Sequence, residues 1–360
     1  MTVENDNLLL KDFHPRPLLR RPQHIPQKAK FPAIDAHNHL FGEHSAEDML
    51  KVMDETGVQT WVNLSGNATV PFDERGYTIR RCDFRIFADA YIRRHPGRFA
   101  ALTMSDFAHW DDDILITDER FADQAIRRLE DDIQQGAAGL KITKELGLRF
   151  KDHTGAMIPV NDERLAPIWK RAGELDVPVL IHVSDPVAFF LPLDATNEHY
   201  PTLLEFPGWG FQSSFFSKWQ LLEQRNRVLA ANPHTTFILP HVANNPEDLD
   251  SVGDLLDAYA NVFIDFSARI DELGRQPYTA RDFFIKYQDR ILFGIDMPIS
   301  TFAYRGYFRF LETKDEYFDY PDYLGRPGNC RWRIYGLYLP DDVLRKVYNE
   351  NARRVIPGLD

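Results

Sequence analysis

The chain has 360 residues, of which 44% are hydrophobic, and this is enough to bury the core of one large domain. Its formal net charge of -12 argues against nucleic acid or an anionic membrane as a partner, because both require a basic face. Two cysteines, Cys82 and Cys330, are too few for a disulfide framework. No apolar run is long enough to span a membrane and no signal-peptide core is present, so we predict a cytoplasmic location and leave open an exported longer precursor.

The first 31 residues are predicted to form an N-terminal extension ahead of a single barrel domain over 32–360. Five prolines occur from Pro15 to Pro32, and this density favours an extended strap with few internal hydrogen bonds. Such a strap lies over the protein's own surface or reaches a neighbouring subunit. We expect a homo-oligomer, most simply a dimer.

Strand and helix patterns then alternate along the chain. Apolar or β-branched runs predict eight strands, at 32–37, 58–63, 98–104, 137–142, 178–183, 236–241, 262–266 and 290–295. Apolar residues every three or four positions predict the intervening helices, among them 46–55, 121–135, 164–175, 218–232, 246–260 and 280–288. Eightfold alternation is typical of the α/β class and indicates a parallel sheet closed into a (β/α)8 TIM barrel.

Long loops follow the fifth and eighth predicted strands. The first, Asp185–Trp219, is rich in phenylalanine and tryptophan and is predicted to form a lid or one wall of an apolar pocket, with a subunit interface as the alternative. The second, Ser300–Arg333, is rich in tyrosine and phenylalanine and includes Arg305 and Arg309. We expect it to cover the barrel mouth as well.

Five residues of metal-ligand type stand at the ends of predicted strands. His37 and His39 are two positions apart, which in a strand points both imidazoles the same way. His182, His241 and Asp296 each end a later apolar run. A buried structural histidine could explain any one of them, but four strand ends converge at the mouth of a barrel. Imidazole and carboxylate groups together are typical ligands of first-row metals.

The ordered segments Asp35-Ala-His37-Asn-His39, Ile181-His182, Pro240-His241 and Phe293-Gly-Ile-Asp296 resemble the amidohydrolase superfamily. The closing segment 341–354 resembles the terminal helix of its amidohydrolase-related branch. That branch contains lactonases, other metal-dependent hydrolases, and decarboxylases such as aminocarboxymuconate semialdehyde decarboxylase. The resemblance runs from Phe31 to Pro357 and implies that the chain is an enzyme.

The resemblance also implies roles for the ligand-type residues. His37, His39, His182 and Asp296 would bind a divalent cation, most simply Zn²⁺ with Mn²⁺ as the alternative, and the cation would lower the pKa of a bound water. Asp296 would also take a proton from that water. His241 would stand beside the metal as an acid-base group that polarises a carbonyl.

Lys141 ends the fourth predicted strand, where some relatives, such as urease, carry a carbamylated lysine between two metals. Three interpretations stay open: Lys141 contacts an anionic substrate or a neighbouring site residue, it is a bridging carbamate, or it is a solvated charge. We favour one metal per chain, and a carbamate would make it two, with His182 and His241 on the second ion. Lys141 and Arg269 are the candidate substrate-binding cations, supported by Lys144 and Arg149 in the following loop.

Two enzymatic functions fit these residues. The preferred one is hydrolysis of an ester, lactone or amide bond in a small, anionic organic substrate. The alternative is non-oxidative decarboxylation, which the same ligands would serve; hydrolysis is favoured because many aromatic-acid decarboxylases of the branch begin the first motif with glutamate instead of His37. A non-catalytic binding protein is the third possibility. Asp35 is interpreted as structural, and the remaining histidines are predicted to lie at the surface: His14, His24, His44, His95, His109, His153, His199 and His234.

Overall fold

Eight parallel strands form the centre of the computed structural model, which describes residues 8–9, 18–73, 76–108, 113–322, 324 and 332–359. Each strand coincides with one of the predicted segments. In chain order they are β1 (Ala33–Asn38), β2 (Val58–Asn63), β3 (Phe99–Ala101), β4 (Leu140–Ile142), β5 (Val179–Ile181), β6 (Phe237–Leu239), β7 (Val262–Asp265) and β8 (Ile291–Leu292). The predicted (β/α)8 barrel is therefore confirmed.

Backbone hydrogen bonds close the barrel. Strands β1 to β3 pair in parallel in one sheet and β4 to β8 in another, and a parallel bridge between Thr103 and Leu140 joins the two. The ring is completed where β8 meets β1: the amide of Ala36 donates to the carbonyl of Phe293 at 2.9 Å, and that of Asp296 donates to the carbonyl of His37 at 2.9 Å. This closing pair of strands places the first and last ligand-type residues of the sequence side by side.

The longer helices cover the outside of the barrel. Six of them match predicted helices within a few residues, and the seventh, Thr301–Glu312, lies where a loop over the mouth was expected. They begin and end with ordinary capping chemistry: Ser45 accepts from the amide of Asp48, Gly57 takes the left-handed conformation, and Ser217 forms a capping box with Gln220. They are Ala46–Thr56, Phe121–Gln134, Ala166–Glu174, Lys218–Ala231, Leu249–Ala258, Pro277–Lys286 and Thr301–Glu312.

Shorter elements connect these helices and strands. The short helices and helical turns are Phe84–Phe87, Ala88–Ile92, Ser105–Phe107, Glu145–Leu148, Glu163–Leu165, Val187–Phe190, Tyr200–Glu205, Pro207–Trp209, Pro240–Ala243, Ile270–Gly274, Asp341–Arg345, Lys346–Glu350 and Asn351–Val355. The short strands are Ala68–Thr69, Phe72–Asp73, Gly76–Tyr77, Arg80–Arg81, Ile114–Ile116 and Lys151–Asp152.

Two layers of apolar side chains form the core. The outer layer lies between strands and helices, and the inner layer fills the barrel with residues such as Ile34, Leu180 and Leu292. The inner layer also includes Ala352 from the terminal helix Asn351–Val355 and Ile356, the residue after it. The C-terminal segment therefore packs against the barrel interior, away from the mouth.

The N-terminal extension contacts the rest of the chain between Arg21 and Lys30, and residues 18–31 form no helix or strand. The main-chain amide of His24 donates to Asp315 at 2.7 Å, and that of Lys30 donates to Glu312 at 2.9 Å. Glu312 is the last residue of the helix that follows β8, Thr301–Glu312, and Asp315 lies just beyond the end of that helix. The domain boundary near residue 31 stays a prediction.

The segment after β8 was expected to cover the mouth, and for its two arginines this expectation is wrong. It begins with the helix Thr301–Glu312, which packs in the outer layer. Arg305 pairs there with Glu55 at 2.7 Å, and Arg309 pairs with Asp315 at 2.7 Å. Because the apolar side of this helix is buried against the barrel, Arg305 and Arg309 lie away from the mouth, where they pair with Glu55 and Asp315.

Several other expectations concern single residues. Cys82 has a free thiol, whereas Cys330, His14 and His109 lie outside the described residues. Within the described ranges, no helix is both long enough and apolar enough to cross a membrane.

Gly294 is required at the closing edge of the barrel. A Cβ at this position would lie 2.7 Å from the Cβ of His37 and 2.9 Å from its backbone nitrogen. We expect Gly294→Ala to lower the free energy of unfolding by roughly 1–3 kcal/mol, measured by urea denaturation, because the backbone of β1 cannot move aside. Gly210→Ala is the matched control, since its Cβ would meet only the movable side chain of Gln212. Equal stability of the two variants would contradict the steric argument.

Candidate metal centre at the barrel mouth

The mouth of the barrel brings together the five predicted residues of metal-ligand type. The imidazoles of His37, His182 and His241 are buried, and the Asp296 side chain is one-fifth exposed. The ring centroid of His241 lies 4.9 Å from that of His37 and 4.6 Å from that of His182, and the His37 and His39 centroids are 6.0 Å apart. Residues from four strand ends therefore share one small volume.

His37, His39 and Asp296 form the tightest part of this group. One ligand atom from each lies within 4.8 Å of the other two, and Nε2 of His37 is 3.5 Å from Oδ2 of Asp296. The Nδ1 atom of His37 is bonded to Asp265 at 2.7 Å and that of His39 to Ser65 at 3.0 Å, which leaves Nε2 of each ring available. His37 Nε2 and Asp296 Oδ1 have no hydrogen-bond partner within the described residues. These buried, unpartnered atoms fit the ligands of a divalent cation.

His241 and His182 lie beside this group. Nε2 of His241 is 3.7 Å from Oδ2 of Asp296, and its Nδ1 is 2.8 Å from the carbonyl oxygen of Ser267. Nε2 of His182 lies 3.0 Å from the carbonyl oxygen of Ser184, so the atom left to face the group is Nδ1. In the described part of the chain, His182 belongs to no set of three ligand atoms within 4.8 Å.

A strained stretch of backbone positions His241. Residues 241–244 all have positive φ, between 53° and 59°, and Asp296 has φ 50°. Non-glycine residues rarely adopt this left-handed conformation, and each costs roughly 1–2 kcal/mol. Two buried cations of the helix Lys218–Ala231 stabilise the stretch, because Lys218 donates to the carbonyl of Asn244 at 2.6 Å and Arg225 donates to that of Ala243.

Asp265, at the end of β7, is the main site residue that sequence reasoning missed. Its carboxylate accepts from His37 Nδ1, from the amide of His241 at 3.2 Å, and from Ser267 through the amide at 3.0 Å and the hydroxyl at 2.6 Å. The signal was present, since Val262-Phe-Ile-Asp265 is an apolar strand that ends in a ligand-type residue. The aspartate thus orients the His37 ring through Nδ1 and positions the main chain of His241 through its amide.

Burial determines the charge of the imidazoles. Removal from water disfavours the charged form, and it holds the pKa values of His37, His39 and His241 well below the usual range and lowers that of His182 to about 4. All four rings are therefore neutral at pH 7, with a lone pair available for a metal.

Two further groups have pKa values that are shifted towards 7. Burial raises the pKa of Asp296 to about 6, although the nearby Lys141 ammonium acts in the opposite direction. Burial also lowers the pKa of Lys141 to about 8, against the attraction of Asp296 and Asp265. Lys141 is 1% exposed and its Nζ makes no hydrogen bond within the described residues. The interpretation of Lys141 as a solvated charge is therefore wrong, because the strand end lies inside the mouth.

A cavity of about 760 Å³ opens above these residues. Its wall includes Lys141 and Arg269, together with Phe189 and Trp209 from the segment after β5. The aromatic segment therefore forms one wall of the pocket, as predicted. Arg149 is absent from the described lining and pairs with Asp113 at 2.6 Å.

Asp185 is a second site residue that sequence reasoning missed. It is buried among cations: Arg269 donates to its Oδ1 at 3.1 Å, Lys144 pairs with its Oδ2, and His182 Nε2 lies 3.6 Å from Oδ1. These neighbours hold the pKa of Asp185 well below its usual range, against the effect of burial. Asp185 therefore fixes the positions of Lys144 and of Arg269, one of the two candidate substrate-binding cations.

His199 is also placed differently from the prediction. It was expected at the surface, but it is 3% exposed and its ring lies edge-on to Trp332 with centroids 5.5 Å apart. The polar sequence around it gave no sign of burial, which results from packing between the segments after β5 and β8.

Comparison with known proteins gives the family and the fold. The family model described as Amidohydrolase matches residues 12–358. No curated protein is similar enough in sequence to count as a match.

Similar solved structures include a putative amidohydrolase from Staphylococcus aureus, with a TM-score of 0.55 and 16% identity, covering 90% of this chain and 99% of that one. Another is 2,6-dihydroxybenzoate decarboxylase from Rhizobium, with a TM-score of 0.52, 16% identity and coverage of 90% and 98%. A third is a dihydroxybenzoic acid decarboxylase from Polaromonas with bound manganese and the inhibitor 2-nitroresorcinol, with a TM-score of 0.52, 15% identity and coverage of 90% and 96%. At these identities the structures support the fold, and the match of the family model over nearly the whole chain shows that the protein belongs to the amidohydrolase family.

Proposed function

We propose that the protein is a metal-dependent hydrolase that cleaves an ester, lactone or amide bond of a small, anionic organic substrate. The observation that carries the proposal is the Asp296 carboxylate, which lies among neutral imidazoles at the cavity and whose Oδ1 has no partner in the described part of the chain. Its pKa of about 6 leaves it ionised at pH 7 and basic enough to accept a proton.

His37, His39 and Asp296 would hold the metal, with His182 binding through Nδ1 because its Nε2 faces Ser184. The nitrogen-rich ligand set favours Zn²⁺, and Mn²⁺ is the alternative. A divalent cation bound there supplies a Lewis acid that lowers the pKa of water and polarises a carbonyl group.

The protein's own groups would move the protons. Asp296 lines the cavity, its Oδ1 has no hydrogen-bond partner within the described residues, and its carboxylate would accept a proton from the attacking water. His241 donates its Nδ1 proton to the carbonyl of Ser267, so its Nε2 carries a lone pair. His241 Nε2 lies 3.7 Å from Asp296 Oδ2, so His241 would take from Asp296 the proton that the water has lost and, as an imidazolium, donate it to the leaving group as the bond to the carbonyl carbon breaks.

The cations of the cavity support an anionic substrate. Lys141 is buried at the mouth without a hydrogen-bond partner in the described residues, and Arg269 lines the same cavity. A substrate carboxylate would pair with Lys141, and the exclusion of water from this buried position would strengthen the interaction.

Decarboxylation is the second candidate, favoured by the same buried cations, which could hold the carboxylate that is lost. Purified protein should be loaded with Zn²⁺ or Mn²⁺ and given a panel of lactones, amides and aromatic carboxylates. Release of acid without CO2 would support hydrolysis, and CO2 release would show the second candidate instead. Lack of turnover across the panel with metal bound would favour a binding protein.

Asp265→Asn is expected to weaken metal binding by about 10–100-fold. The amide cannot replace both acceptor oxygens, so the preferred tautomer of His37, which leaves Nε2 free, is lost. Metal affinity can be measured by competition with a chelator. Asp257→Asn is the control, because Asp257 lies on the surface, where it pairs with Lys286 at 3.3 Å. Parental affinity in Asp265→Asn would mean that His37 does not bind the metal.

Asp296→Asn is expected to lower turnover by at least about a hundredfold, since the nearly isosteric amide cannot accept the proton. Initial rates at saturating metal measure the effect, and far-ultraviolet circular dichroism checks the fold. Activity within a few-fold of the parent would show that Asp296 is structural.

Lys141→Ala separates the two remaining interpretations of this lysine. We favour a single metal at the mouth, which should remain in the variant while the KM for anionic substrates rises. A bridging carbamate predicts instead that the variant loses mouth metal and that bicarbonate promotes reconstitution of the parent. The mouth count is taken as the metal lost from the parent in a His37→Ala/His39→Ala double variant, so that ions bound elsewhere do not enter it.

A further inference from the structure

A second group of ligand-type side chains lies beside the mouth, outside the candidate metal centre. His199, from the segment after β5, meets Asp271 and Glu272 of the short helix Ile270–Gly274. One nitrogen or oxygen atom of each lies within 4.8 Å of the other two, and the three residues are 3%, 4% and 1% exposed. The group thus joins two different mouth segments.

Glu272 is a buried acidic side chain that forms no ion pair with a lysine or arginine of the described residues. Neither of its oxygens meets a donor in good hydrogen-bond geometry there, although the Asp271 carboxyl group is close enough to interact with it. Its Oε1 lies 3.1 Å from Nε2 of His199, but neither atom is in hydrogen-bond geometry. A carboxylate this far from water is strongly unfavourable unless something positive binds it.

Two arginines near the group are used elsewhere. Arg275 donates to both oxygens of Glu198, at 2.7 and 3.1 Å, and its guanidinium lies 4.0 Å from the ring centre of Trp332. Arg269 donates to Asp185 at 3.1 Å. Neither arginine forms an ion pair with Glu272, so a cation bound from solution would be its positively charged partner.

The distances fit two ligands of one ion. Ligand atoms that are each ~2.1 Å from the same ion lie roughly 3.0–3.4 Å apart, and the His199 nitrogen and Glu272 oxygen are 3.1 Å apart. One imidazole with two carboxylates suits a divalent first-row metal such as Mn²⁺ or Zn²⁺.

A separate cavity of about 770 Å³ reaches the group, with His199 and Asp271 in its wall. Ala268 lines both this cavity and that of the candidate metal centre. Water from the second cavity can therefore complete the coordination that three protein ligands leave open.

We propose that His199, Asp271 and Glu272 form a second divalent-metal site, which fastens the segment after β5 to the helix after β7. This site is independent of the reaction proposed for the mouth.

The test compares the metal content of the parent, Glu272→Gln and Glu198→Gln after loading with Mn²⁺ and removal of free metal. We expect Glu272→Gln to bind one fewer ion per chain than the parent, because the amide removes the charge and leaves the shape. Glu198→Gln should keep the parental count, since its carboxylate pairs with Arg275. An unchanged count in Glu272→Gln would overturn the proposal and leave Asp271 and Glu272 as acids that share a proton.

A second variant guards against misfolding. If circular dichroism shows that Glu272→Gln is unfolded, His199→Gln gives the answer by the same count: loss of one ion supports the site, and the parental count overturns it. Limited proteolysis within 185–219 supplies an independent measurement. Mn²⁺ should slow cleavage at least about tenfold more in the parent than in the folded variant, and equal protection would contradict a fastening role.

Discussion

The carboxylate of Asp265 is the contact on which the mouth depends. It binds His37 Nδ1 at 2.7 Å and the amide of His241 at 3.2 Å, and it thereby ties together the ends of β1, β6 and β7. Because it accepts the Nδ1 proton, the lone pair of His37 is left on Nε2, which faces Asp296. Asp265 thus sets the orientation of the His37 ring, the position of His241 and the direction in which Nε2 of His37 points.

Burial of the mouth explains the chemistry it can perform. The same removal from water that keeps the imidazoles neutral raises the pKa of Asp296 to about 6 and lowers that of Lys141 to about 8. The pKa of a carboxylic acid and the pKa of an ammonium group are therefore both shifted towards 7 in one cavity, which is typical of sites that transfer protons. The strained backbone at His241 is maintained because Lys218 and Arg225 bind the carbonyl groups of the turn.

The pattern of apolar runs was sufficient to predict the eight strands, because parallel strands buried on both faces read as continuous apolar segments. It was also sufficient to find His37, His39, His182, His241 and Asp296, since each ends such a run. Asp265 ends an apolar run in the same way, but near this strand end the sequence prediction named only Arg269. Asp185 follows β5 within a polar loop, where an aspartate carries no signal of burial.

The sequence by itself determined which segments form the barrel and which ligand-type residues stand at its carboxyl edge, because both depend on local periodicity and spacing. Only the tertiary structure decided that Lys141 and His199 are buried, that Arg305 and Arg309 lie in the outer layer, and that Asp265 orients the metal-ligand candidates. The reason is that burial and hydrogen bonding are set by contacts between distant residues. His37 and its partner Asp265 are 228 positions apart, and only closure of the barrel brings them together.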